Sequence, residues 1–450
     1  MYISTAIDIY GNIPAMKVIA DLHVHSRFSR AVSEQMAIPV MGEWAKKKGI
    51  SLVATADWTH PLWFREFQAN LEEVAKGIYK AKNTSPDTSL FLLSTEISCI
   101  YSKFGKGRRI HLVILAPSLE TVEKINRELV VRGVNLLSDG RPIVGLSAKN
   151  VAEIILGVDP RCLVIPAHAW TPHFSLYGSI SGFDSIEECF DELSPQIYAI
   201  ETGLSSDPAM NWRIQELGNR QIVSFSDAHS PQKMGREATI FQLSEITYGN
   251  IRKAIMGDAQ EKIVSTIEFY PEEGKYHYTG HRNCQVVYSP NETRKLGAVC
   301  PVCGRPLTVG VMSRVEQLAS SDVETKSKKD EYGVRWIEDS EGKRVPYVMM
   351  VPLLEILAEA FSVGTASQKA LTTYDQLVNH FGSEFKVLLE SNLAEIEQQA
   401  GEKVAEAIGK VRSGDIVIEP GYDGVFGKVK IWKEEKVEAE AEKTQQETLF

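Results

Sequence analysis

Between residue 17 and about residue 230 the chain carries a series of short apolar runs rich in valine, isoleucine and leucine: KVIADLHVH, SLVATAD, LFLLSTEIS, IHLVILAP, CLVIPAHAW, IYAIETG and QIVSFSDAHS. Continuous runs of this kind suit strands buried on both faces. The segments between them, such as 34–48, 66–82 and 118–132, space their apolar residues as a helix does. Strand followed by helix, repeated about seven times, predicts a parallel α/β barrel. Chemistry in such a barrel is expected at the C-terminal ends of the strands. His23, His25, Asp57, Glu96, His168, Glu201, Asp227 and His229 all follow their apolar run. His111 instead sits near the start of its run, so it reaches the same mouth only if that strand is antiparallel or enters from the upper rim.

The pattern then changes. Residues 275–312 concentrate cysteine and histidine in YHYTGHRNC and CPVCGRPL, and 345–411 read as helical, including the amphipathic SEFKVLLESNLAEIEQQAGEKVAEAIGKV. A glycine-rich stretch with strand character, GDIVIEPGYDGVFGKVKIW, closes the folded part. The expected division is a metal-dependent nuclease barrel over 1–270, a zinc-binding module over 271–320, a helical DNA-binding region over 321–432 and a disordered tail over 433–450.

The pair His23 and His25 raises the question of chemistry. In a strand, residues two apart share a face, so both imidazoles converge on one point. Together with His60, His111, His168, His229, Asp57, Glu96 and Asp227 they would gather many ionisable groups at one mouth, which need cations to satisfy them. Imidazole with carboxylate suits zinc, manganese or iron better than cations that prefer oxygen alone. Nine donors exceed one tetrahedral ion and suffice for two or three, which can activate a hydroxide and stabilise both oxygens of a phosphoryl displacement.

Composition narrows the classes. At 450 residues with 43% hydrophobic and 24% charged, the chain has the makeup of a soluble globular protein of two or three domains. No signal peptide or long apolar span is evident, so a cytoplasmic location is expected. A net charge of −10 argues against indiscriminate attraction to nucleic acid, although basic stretches persist locally. Of six cysteines, three lie between 284 and 303, which points to a metal site rather than a disulfide framework. HRNC followed by CPVCG has structural-zinc spacing, with His281, Cys284, Cys300 and Cys303 as ligands, His277 being an alternative to His281.

DLHVHSRFS, ATADWTH, STEIS, IHLVILA, PAHAW and SFSDAHS resemble, in order, the motifs of the PHP (polymerase and histidinol phosphatase) superfamily. The resemblance implies a distorted (β/α)7 barrel with a trinuclear site. By it, His23, His25, Glu96 and Asp227 hold one metal, Glu96, His111 and His168 a second, and Asp57, His60 and His229 a third. The second motif departs from the family in reading DWTH rather than an adjacent Asp-His. The order of barrel, YHYTGHRNC…CPVCGRPLTVGV and IEPGYDGVFGKV resembles the archaeal endonuclease Q family up to about residue 432. That implies cleavage 5′ to deaminated bases (uracil, hypoxanthine, xanthine) or abasic sites, with Asp227, Glu96 and His23 catalytic. It also implies two to three divalent ions (zinc, manganese or magnesium) in the barrel and one structural zinc. The alternative is a PHP phosphatase or exonuclease acting on a small phosphoester or a DNA end.

Damaged DNA is the partner expected of such a chain. YSKFGKGRRIH places Lys103, Lys106, Arg108 and Arg109 among Tyr101 and Phe104, a mix able to touch phosphates and stack on bases. Trp58, Trp63, Phe64, Trp170, Phe174 and Tyr177 are candidates to line a pocket for a flipped nucleotide, Trp170 foremost. The terminal QQETLF resembles the start of a sliding-clamp motif through Gln446, Leu449 and Phe450.

Overall fold

The computed structural model describes residues 15–433. The clamp-like Gln446, Leu449 and Phe450 lie outside the described residues.

β1 (Met16–Asp21) pairs in parallel with β2 (Leu52–Ala54), Ala20 opposite Leu52. β2 in turn pairs in parallel with β3 (Leu90–Leu92), which runs on into β4 (Ser94–Lys103). β5 (Lys106–Leu115) lies antiparallel to β4, with His111 opposite Ser98, and antiparallel again to β6 (Leu163–Pro166). The Ala169 amide donates to the Glu201 carbonyl, carrying the wall to β7 (Ala199–Glu201), which pairs in parallel with β8 (Gln221–Val223). A bridge between Val24 and Ala228, with the His25 amide donating to the Ala228 carbonyl, brings the end of β1 to the segment after β8.

The expected barrel is therefore present, and its distortion has two sources. β5 runs against its neighbours, which is the condition under which His111 reaches the mouth. The first strand also gives its other edge to β9 (Ala238–Leu243), Val18 opposite Phe241, so the wall closes on β1 only near its C-terminal end. Val18, Leu52, Leu92, Val113, Ile165, Ala199 and Val223, drawn from around the wall, share one buried apolar cluster. Each valine, leucine or isoleucine among them contributes about 1.5–3 kcal/mol on burial.

The helix expected over 66–82 is a correction. A helix over Pro61–Asn70 is followed by a hairpin of Leu71–Ala75 and Ile78–Ala81. Leu71, Val74, Ile78 and Ala81 imitate helical spacing, but Gly77 at φ 70 reverses the chain and Val74 is exposed. Residues 38–48 and 119–131 are helical, as the pattern predicts.

Beyond β9 the large sheet continues through β10 (Lys262–Glu268), Tyr347–Met349 and the hairpin Thr325–Lys329 with Arg335–Asp339. Part of the region expected to be helical is thus strand. Helices follow at Leu353–Phe361, Gln368–Phe381, Glu384–Leu389, Leu393–Ala400 and Glu402–Ser413. Glycines at positive φ end several of them, Gly382 and Gly414 at either side of what reads in sequence as one amphipathic run and Gly401 within it, where it divides the run. Arg412 is buried there and donates to the carbonyls of Leu388, Val387, Ser391 and Tyr332, tying the helices to the preceding hairpin.

A buried ion pair joins these helices to the barrel. Lys48, closing the barrel's first helix, meets Glu384 at 2.7 Å, and Glu384 also accepts from the Leu353 amide and the Tyr374 hydroxyl. Removing one partner would leave a buried charge uncompensated.

Candidate metal centre and active-site cavity

Strand ends deliver the donors. His23 and His25 follow β1, Glu96 and His111 lie on β4 and β5, His168 follows β6 and Asp227 and His229 follow β8. The backbone is bent to aim them: Asp57, His168 and Asp227 sit at φ 37, 31 and 48. Such conformations cost a non-glycine residue of order 1–3 kcal/mol and persist where surrounding structure over-determines them, characteristically at functional sites. Asp21, buried beneath the mouth, supplies part of that structure by accepting from the Ser226 amide and hydroxyl and the Gly235 amide.

Three groups of donor atoms come together, each with its atoms within 4.8 Å of one another: His23, His25 and Glu96; Glu96, His111 and His168; and His25, Asp227 and His229. Glu96 is the hub. Its Oε1 lies 2.6 Å from His111 Nδ1 and 3.1 Å from His168 Nε2, while Oε2 lies 3.3 Å from His25 Nε2. His25 Nε2 is also 3.1 Å from Asp227 Oδ1. His23 Nε2, His25 Nε2 and Asp227 Oδ1 are buried atoms without a hydrogen-bond partner among the described residues. Lone pairs left converging and unpaired in this way fit a divalent cation and would be unfavourable without one.

The remaining nitrogens are committed to the protein. His23 Nδ1 is 3.0 Å from Glu201 Oε1, and Glu201 also accepts from the His168 amide at 2.8 Å. His25 Nδ1 is 3.1 Å from Asp57 Oδ1. A carboxylate on one ring nitrogen sets the tautomer that leaves the other free to ligate. Glu201 and Asp57 therefore orient imidazoles, and Asp57 is saturated by further bonds from the Ser26 amide, Ser26 hydroxyl and Ser29 hydroxyl. Gly140 passes so close to Ser29 and Asp57 that a Cβ there would collide with both.

The geometry regroups the expected ligands. Asp57 and His60 do not join His229, which stands with His25 and Asp227 instead. His60 accepts from the Trp63 amide at the start of its helix and stacks on Phe28 at 4.6 Å, and burial lowers its pKa. Asp227 keeps contact with the first group through His23 Nε2 at 3.7 Å.

Charge in the site is strongly coupled. Burial works against charging both His23 and Glu96, yet neighbours prevail. Glu201 and Glu96 raise His23 well above an ordinary imidazole, and His111, Arg141 and His23 hold Glu96 well below an ordinary carboxylic acid. Burial pushes His111 down to about 4 against the opposing pull of Glu96. Arg141 reaches Glu96 Oε2 at 3.0 Å.

His111, His168, Asp227 and His229 open onto a cavity of about 660 Å³, the size of a ligand pocket. Arg30, Arg141, Lys233, Arg236 and Lys275 bring cations to its lining beside Asp139, Asp227, Glu273 and Glu355, and Phe174, Phe269, Tyr276 and Phe426 give it aromatic surface. Phe174 is itself at φ 63, its ring 4.9 Å from that of His111 and capped by Arg109.

Other expected contacts fare differently. Trp170 is 0% exposed, donates to Asn211 and packs on Tyr177, so core packing replaces the DNA contact expected of it. Trp58 and Trp63 are likewise buried. Arg108 is buried against Phe183 and bonds the Gly182 carbonyl, Lys103 is paired with Asp191, and the half-buried Tyr101 lies against Cys189. Lys106 and Arg109 remain exposed.

His281, Cys284, Cys300 and Cys303 form a fourth group away from the cavity lining, His281 Nδ1 being 3.4 Å from Cys303 Sγ. His277, the alternative ligand, is buried outside that group. Burial opposes ionisation of Cys300, but the Cys303 and Val302 amides and His281 pull its thiol down to about 6.

Solved structures share the fold of this chain. The lesion-specific endonuclease PfuEndoQ from Pyrococcus furiosus superimposes with a TM-score of 0.77 at 31% identity, over 92% of this chain and 95% of that one. The chain belongs to the endonuclease Q family. An endonuclease Q solved with a 27-mer duplex carrying an abasic lesion at its active site gives a TM-score of 0.78 at 32% identity, over 93% and 97% of the two chains. YqxK, an uncharacterized protein of Bacillus subtilis, is 28% identical over 92% of this chain and 99% of its own. MJ0043 of Methanocaldococcus jannaschii is 32% identical over 60% of this chain, which spans about a third (32%) of that relative's length. The family of the MJ0043 C-terminal domain matches residues 352–415. As an endonuclease Q family member with this donor set, the chain is a metal-dependent hydrolase.

Sequence reasoning gave Glu201 no role and passed over Arg141. A carboxylate ending the run IYAIETG was the available signal for the first. Arg141 lies in a loop, SDGRPIVG, whose pattern says nothing of where it points.

Proposed function

We propose that the chain is a DNA repair endonuclease of the cytoplasm that cuts the phosphodiester 5′ to a deaminated base (uracil, hypoxanthine or xanthine) or an abasic site, leaving a 3′-hydroxyl. The observation that carries this reading is that one cavity brings His111, His168, Asp227 and His229, members of two of the metal-donor groups, together with arginine, lysine and aromatic side chains. A small phosphoester would need only the donors. The relative solved with an abasic duplex supports the choice of DNA.

In this reading two to three divalent ions, zinc, manganese or magnesium, are held by His23, His25 and Glu96, by Glu96, His111 and His168, and by His25, Asp227 and His229. Bound there, they supply Lewis-acid activation of water and neutralise charge on the phosphoryl oxygens. The chain's residues do the rest. Glu201 and Asp57 hold the imidazoles in their ligating tautomers, and Arg141, Arg30 and Arg236 draw the phosphate backbone to the donors. Phe174 offers a face for the extruded base. Lys106 and Arg109 lie on the hairpin outside, placed to meet flanking phosphates. A structural zinc at His281, Cys284, Cys300 and Cys303 shapes the neighbouring module. Binding of the sliding clamp through Gln446, Leu449 and Phe450 completes the proposed set of partners.

The test is incubation with duplexes carrying one uracil, one hypoxanthine, one abasic site or no lesion, with divalent metal present or chelated. Expected is a nick 5′ to the lesion, absent from intact duplex and after chelation. Release of phosphate from small phosphoesters without any nick would overturn the reading.

A further inference from the structure

The cavity has a part that belongs to no barrel strand. Phe426 lines its rim from the loop between the strands Val417–Glu419 and Lys428–Lys430, about 200 residues beyond Asp227 in sequence. It is 65% exposed, whereas Phe269 in the same lining is buried. Single exposed apolar side chains are ordinary on a protein surface, but this one stands at the edge of a functional cavity, where a ligand can meet it.

The loop is built to hold it still. Gly421 and Gly427 pack against backbone so tightly that a Cβ at either would collide with carbonyl oxygens, Gly421 against that of Gly274 and Gly427 against that of Glu272. Asp423, at φ 43, accepts from the Arg282 amide at 2.7 Å and the Thr308 hydroxyl at 2.6 Å, and so clips the loop to the cysteine-bearing module. The Tyr278 amide donates to the Gly421 carbonyl and the Gly424 amide to the Lys275 carbonyl. The loop is thus fixed on both sides while its apolar tip faces solvent, and the Lys275 ammonium lies 4.6 Å from the Phe426 ring centroid.

We propose that Phe426 is a wedge: its ring enters the base stack at the gap left when a nucleotide is extruded into the cavity, with Lys275 meeting the adjacent phosphate. The inference rests on the nuclease reading above. Extrusion breaks stacking on both sides of the lesion, and an apolar side chain on a rigid support replaces that contact without having to be ordered first. A single strand has no continuous stack to open, so it gains less from the wedge.

The experiment compares kcat and KM of the full chain, Phe426→Ala and Phe426→Trp on one lesion in a duplex and in the corresponding single strand. Because Phe426 is exposed, the melting temperature of Phe426→Ala should match that of wild type. The alanine variant should lose about ten- to a hundredfold in kcat/KM on duplex, the scale of one base–aromatic stack. Its loss on single strand should stay within about threefold, and tryptophan should restore duplex cleavage. Equal losses on the two substrates, or none on either, overturn the wedge while leaving the nuclease reading intact. A wild-type chain inert on both overturns the two together.

Discussion

The barrel mouth and the cysteine module both gather histidine with acidic donors, yet they are different kinds of site. At the mouth, nitrogen and oxygen donors share Glu96 between groups, and His111, His168, Asp227 and His229 face a cavity whose lining carries arginines and lysines. Each orienting carboxylate, Glu201 and Asp57, stands behind an imidazole and fixes it. In the module, three thiols and one imidazole make a single four-donor group on a short hairpin, Thr279–His281 with Val286–Tyr288, followed by the CPVC turn. Donors left open to a ligand suit catalysis, and a closed soft set suits a fold that has little core of its own. The module's apolar cluster is small, comprising Val286, Cys300 and Leu307 with Cys284 and Tyr288 beside them.

If this contrast is sound, damage to the two sites separates. The largest effect is expected from Asp227→Asn, which removes the carboxylate shared by His25 and His229: cleavage of a lesion duplex falls by more than about a thousandfold while binding, followed by fluorescence anisotropy, stays near wild type. Retained cleavage would remove the mouth from the chemistry. Cys300→Ser with Cys303→Ser should lose one zinc per chain by metal analysis and lower the melting temperature, with the metal content of the mouth unchanged, since structural zinc contributes folding free energy directly. Joint loss of metal from both sites would dissolve the comparison.

A smaller effect is expected from Glu201→Gln, which keeps the shape but weakens the hold on His23 Nδ1. Metal affinity or activity should drop about ten- to a hundredfold, recoverable in part by raising the metal concentration. The smallest is a pH effect confined to the module. With Cys300 held near 6 against an ordinary value of 9.0, the folded state binds fewer protons than the unfolded state between those values. Its contribution to stability is full above about 9 and is lost as the pH falls toward about 6, so the metal-free chain's module should become more stable across that rise in pH. Hydrogen exchange of the Val286–Tyr288 amides measures it, and Cys300→Ser should flatten the profile.

Much of the mouth was legible beforehand. The spacing of His23 and His25 along a strand, and the repeated ending of apolar runs in histidine or carboxylate, place the donors on one rim because strand period and barrel topology leave little choice. Asp57 followed the same rule and still was not a free donor: position in a strand says which rim a residue reaches, and only packing shows that Ser26 and Ser29 already occupy its oxygens. Trp170 was misread for a related reason. An aromatic residue after a strand suits a pocket or a core equally, and Asn211 and Tyr177, distant in sequence, decide for the core.

The sequence by itself determined the barrel, the histidines and carboxylates that gather at its strand ends and the spacing of the cysteine set, since each rests on local periodicity or short spacing. Tertiary structure decided which donors meet, the reversal of β5 that brings His111 to Glu96, the role of Arg141 and Glu201, and the delivery of Phe426 to the rim from a loop pinned by Asp423. Those outcomes depend on contacts between segments tens to hundreds of residues apart. Such contacts are set by how the elements pack, on which local pattern is silent.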